Sequence, residues 1–78
     1  MTEIVNILKN EYNKVLKRWN KATHYLEHEA TPEQVDKWLH EYEFILKQRQ
    51  SLCMEIWKET GIKPKTKEFE GGFYIDTG

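Results

Sequence analysis

Two glycine-free stretches of this chain carry the same apolar rhythm, and only a few residues part them. In the first, from about residue 3 to 29, Val5, Leu8, Tyr12, Val15, Trp19, Ala22 and Leu26 recur at alternating intervals of three and four. In the second, from about 32 to 60, Val35, Trp38, Tyr42, Ile45, Arg49, Leu52 and Ile56 do the same. Such a repeat returns each side chain to one stripe of an α-helix, the a/d pattern of coiled coils. A short connection forces two such helices to fold back on each other. The expected fold is therefore all-α: a two-helix antiparallel hairpin over residues 1–62, then a short C-terminal tail over 63–78.

The helix ends carry local signals. Thr2 is placed to cap the first helix, with Glu3 near the positive end of its dipole. Thr31-Pro32-Glu33-Gln34 spells a capping box with proline at the first helical position. Gly61 suits a left-handed C-cap, and Pro64 blocks continuation. Register follows from pairing positions whose numbers total 60 or 61, which sets Leu26 against Val35, Trp19 against Tyr42 and Tyr12 against Arg49. The same register opposes the smallest seam residue, Ala22, to the largest, Trp38, as close packing requires.

The tail differs in character. Aromatic residues Phe69, Phe73 and Tyr74 flank Gly71-Gly72, a pattern that suits a small β-hairpin. An isolated hairpin is marginal in water, so the tail is expected either to dock or to stay mobile.

The apolar stripe is wider than one seam needs. Leu16, Leu39, Leu46 and Cys53 form a second strip that two helices alone cannot bury. The expected cover is a second hairpin in a homodimeric helical bundle, with the tail or a foreign protein as rivals. Large residues off the seam, Phe44 and Trp57 with Phe73 and Tyr74 of the tail, join that strip as candidate protein contacts. Arg49 is the one charged seam residue. It needs a partner if buried, and facing Tyr12 offers a hydrogen bond or a cation–π contact. Its expected role is to fix register, with reach to a phosphate or carboxylate as the alternative.

Between Tyr12 and Leu26 the first helix has no acidic residue but carries Lys14, Lys17, Arg18 and Lys21, a stripe able to follow a phosphate backbone. The second helix is acidic, and Arg18 and Glu41 fall on flanking positions of the paired register. Nucleic acid is therefore the second choice of partner, and a solvated face the plainer account. His24 and His28, with Asp36 and His40, sit on outward positions without a recognised ligand spacing, so no metal is expected.

Other classes fall away. There is no glycine-rich phosphate loop, HExxH or calcium-loop pattern, and Ser51 and Cys53 have no neighbouring histidine, so no enzyme and no cofactor are expected. No apolar run approaches the roughly 20 residues of a membrane span. The start Met1-Thr2-Glu3 lacks the features of a signal peptide, and a lone cysteine suits a reducing compartment, so the cytoplasm is expected. Twelve basic and thirteen acidic side chains nearly cancel, giving no electrostatic preference overall. In outline the hairpin is similar to small dimeric helical-hairpin proteins that regulate RNA, a likeness of architecture alone. Small size with many lysines, asparagines and aromatics also suits a phage or mobile-element accessory protein. The expectation is a small interaction module, acting as regulator, inhibitor or assembly subunit.

Overall fold

A computed structural model describes residues 2–75. Its elements are α1 (Thr2–His28), α2 (Pro32–Thr60) and a short α3 (Thr66–Gly71). The two long helices pack on each other as a hairpin within a molecule of 45 × 21 × 19 Å. Thr2 lies inside α1, and the capping role expected of its side chain falls outside the described residues. No described helix is long and apolar enough to cross a membrane.

Local chemistry explains the ends. At α2, Gln34 N–H donates to Thr31 Oγ1 at 3.3 Å and Thr31 N–H donates to Gln34 Oε1 at 3.0 Å, so both halves of the capping box form. Gly61 closes the helix in the left-handed region, φ 71°, its N–H donating to Trp57 O at 2.7 Å. The register is visible in two cross-helix pairs. Trp19 stacks on Tyr42 with ring centroids 4.2 Å apart, and Arg49 Nε donates to Tyr12 Oη at 3.1 Å.

The Ala22–Trp38 pairing does not close. Trp38 is 46% exposed, meets Tyr25 edge-on with centroids 6.3 Å apart, and lines a groove together with Ala22. The hairpin is thus closely packed where the tail docks and leaves a groove near the connection.

The tail is also different from a β-hairpin. Residues 66–71 form α3, and no strand occurs among the described residues. A glutamate explains the preference: Lys65 N–H donates to Glu68 Oε1 at 3.1 Å, satisfying one orphan donor at the start of a helix. The tail then turns at Gly72, φ 97° and ψ 165°, a region open essentially only to glycine. Phe73 enters the core beside Tyr12, Leu16 and Ile56. Leu8, Trp19, Leu52, Cys53 and Phe69 pack around that cluster. The core is therefore shared by α1, α2 and the tail.

Candidate functional site

Arg49 organises the closed half of the molecule. Its side chain is 7% exposed, and its Nη2 donates to Phe69 O at 2.7 Å. Tyr12 Oη donates to the same carbonyl at 2.6 Å. The guanidinium lies 4.0 Å from the centre of the Phe69 ring and 5.5 Å from that of Trp19. No carboxylate neutralises it among the described residues; a carbonyl, a phenol and two π-faces do that work. The expected hydrogen bond to Tyr12 is present. Arg49, however, is turned to α3, where it holds the tail, and it is too buried to meet a phosphate from solution.

Two side chains nearby respond to this burial. Burial pushes the Tyr12 phenol above its usual 10.0, against the lowering effect of the hydrogen bond and charge of Arg49. The Cys53 thiol is raised as well, by burial first, with Arg49 opposing and Glu68 adding to the rise. Asn13 completes the attachment: its Nδ2 donates to Phe73 O at 2.9 Å, and its Oδ1 accepts from Phe73 N–H at 2.8 Å.

This docking redistributes the second apolar strip. Leu16 is buried in the core and Cys53 packs against it, both covered by the chain's own tail. Leu16 and Cys53 are thus covered within the chain, so the four residues Leu16, Leu39, Leu46 and Cys53 do not form one continuous exposed strip. Leu46 is half-buried, and Leu39 is exposed at the other end. Phe73 likewise leaves the set of exposed contacts, as a core residue with its ring edge-on to Tyr12 at 5.1 Å. Tyr74 beside it is 83% exposed. Trp57 stays partly exposed on α2 with Lys63 Nζ 5.7 Å from its ring centre.

The open half of the molecule holds an apolar concavity. Ala22, Tyr25, Leu26, Trp38, Tyr42 and Ile45 floor a groove of about 430 Å³ between α1 and α2. Arg18 and Lys21 stand on its α1 rim and Glu41 on its α2 rim. Phe44, three residues after Glu41, is exposed but does not line the groove. Helix geometry puts this groove opposite the tail. Arg18 follows Leu16 by two residues and Glu41 follows Leu39 by two, a rotation of roughly 200° about the helix axis. Sequence reasoning missed the groove because it assumed that Trp38 would fill the space over Ala22.

Lys14, Lys17, Arg18 and Lys21 of α1 are exposed. Lys14 Nζ lies 3.7 Å from Glu11, whereas among the described residues Lys17, Arg18 and Lys21 have no carboxylate within salt-bridge distance. Arg18 and Glu41 share a rim without pairing. Lys14 and Lys17 join Asn10, Asn13 and Asn20 around a polar hollow beside Gly71. The rings of His24 and His28 are 4.8 Å apart, and no group of three or more potential metal ligands occurs among the described residues. Comparison with protein-family models, with curated proteins and with solved structures gives no match.

Proposed function

We propose that the chain is a small non-enzymatic protein–protein interaction module, a regulator, inhibitor or assembly subunit, whose contact surface is the groove near the helix connection. The observation that carries this reading is the half-exposed Trp38 over a carbon-lined floor. Aromatic groups held at the mouth of a concave apolar surface are the usual anchors of protein interfaces. Leaving such groups in water forgoes part of the roughly 1.5–3 kcal/mol that full burial of a large apolar side chain brings. The lining also speaks for binding over chemistry, since no histidine, serine or cysteine borders the groove.

A photo-crosslinking amino acid placed at Trp38, with exposed Lys58 as the control position, tests this reading in cells making the chain. A protein adduct specific to position 38 is the expected result, whether the captured chain is a second copy or another protein. No specific adduct, or adducts to nucleic acid alone, would overturn it.

A second reading is favoured by one observation, the unpaired Lys17, Arg18 and Lys21 beside an asparagine-lined hollow. On that reading α1 tracks a phosphate backbone. Binding to generic duplex or single-stranded nucleic acid that falls steeply between low and physiological salt would support it. No binding at low salt would remove it.

A further inference from the structure

We infer that the occupant of the groove is a second copy of this chain, related by a two-fold axis parallel to the helices, so that both helix connections lie at the same end. The inference rests on the groove being a contact surface and adds which partner fills it and in which direction. Two independent features of the groove select that geometry.

The first is shape. Ala22 leaves a hollow on α1, and Trp38 projects from α2 at the same level along the hairpin. In its own chain the indole stays 46% exposed. A two-fold axis along the helices lays α2 of one copy over α1 of the other at equal height. Each Trp38 then seats over the partner's Ala22, a knob in a hole at two symmetry-related places. With the axis across the helices the connections move to opposite ends, α1 faces α1, and the indole loses its hollow.

The second is charge. Arg18 and Lys21 line the α1 rim and Glu41 the α2 rim, and none of them is in an ion pair within the chain. Laying α2 over α1 brings each Glu41 to the partner's Arg18 and Lys21. The crossed arrangement sets Arg18 near Arg18 and Glu41 near Glu41, which like charges disfavour. The tail sits on the opposite face of both copies and is not in the way.

The test uses the full chain. Sedimentation equilibrium should show a concentration-dependent dimer, and Ala22→Phe, which fills the hollow, should weaken it by at least about tenfold in Kd, or ~1.4 kcal/mol. Arg18→Glu, on the exposed rim and outside the core, should weaken it likewise, with circular dichroism confirming intact helices. Spin labels on a Glu29→Cys, Cys53→Ser chain then report direction. The expected separation is of the order of the bundle width, and one longer by about 30 Å, twice the helical rise from Arg18 to Glu29, would overturn the inference. So would a dimer indifferent to Ala22→Phe and Arg18→Glu, or a monomer at the highest soluble concentration. A monomer whose position 38 still crosslinks specifically to a foreign protein would end this inference and leave the interaction reading standing. A monomer with no such crosslink would end both.

Discussion

Arg49 shows how one side chain joins three elements. Its Nη2 and the Tyr12 hydroxyl both donate to the carbonyl of Phe69, its Nε donates to the Tyr12 oxygen, and its guanidinium lies over the Phe69 ring. Arg49→Leu keeps the volume but removes the donors, so far-ultraviolet circular dichroism should still show a helical hairpin. Trypsin, however, should cut at Lys65 and Lys67 markedly faster than in the parent; unchanged cleavage would mean that Arg49 does not retain the tail. Tyr12 gives a pH test of the same contact. Its folded-state pKa is raised, so the stability it contributes is complete below the unfolded value near 10.0 and is lost as pH rises through the higher folded value. Tyr12→Phe should cost about 1–3 kcal/mol at neutral pH through the loss of two buried hydrogen bonds. It should also flatten the alkaline limb of a urea-denaturation series; an identical limb in parent and variant would remove Tyr12 as its cause. Gly72 is constrained from a third direction, for an added Cβ would lie 2.8 Å from Asn13 Oδ1 at a φ of 97°. Gly72→Ala should destabilise by about 1–3 kcal/mol, whereas Gly71→Ala, with nothing within 4 Å, should leave the melting temperature unchanged or slightly higher.

Among the elements, α3 was the hardest to read from sequence and the long helices the easiest. Heptad spacing, the Thr31-Pro32 start and the Gly61 stop act within a few residues, so periodicity and capping rules reach them directly. The pairing of Tyr12 with Arg49 was legible too, because a seam arginine must find a donor-tolerant neighbour. Nothing local distinguished a helix from a strand over residues 66–71. Aromatic residues beside Gly-Gly suit a hairpin, and the contrary signal was a single glutamate three residues after Lys65. Phe69 O is held by partners 57 and 20 residues away, a relation that no short window contains. The groove was hidden for another reason: residue volume says that Ala22 and Trp38 are complementary, but not that the indole can reach inward. Cys53 offers a readout of α3. Its thiol is partly covered and its pKa raised, so alkylation near neutral pH should be slow in the parent and several-fold faster in Arg49→Leu. Equal rates would place the thiol outside the cover of α3.

For the whole molecule, the closed half and the open half make different demands. Where the tail docks, aromatic and guanidinium groups fill the space beside the hairpin; at the other half the same two helices leave Trp38 and Leu39 in water. Ala22→Leu therefore should not overpack the isolated chain. At concentrations too low for association its melting temperature should stay close to that of the parent, a change within about 0.5 kcal/mol. A loss of several degrees there would restore a closed Ala22–Trp38 seam.

The separation of 60 residues between Asn13 and Phe73 has a temporal meaning as well. The hairpin contacts are local and can form early, whereas the contact that completes its core joins distant parts of the chain and must form late. During synthesis on a ribosome, which proceeds from the N-terminus, there is an interval in which both long helices have emerged and Phe69 and Phe73 have not. Throughout it, Leu16 and Cys53 still face solvent as part of an uncovered strip, and a neighbouring nascent hairpin offers the same strip in return. Premature pairing through that face would exclude the tail, so the docked fold depends on residues 66–73 reaching the hairpin before a second hairpin does.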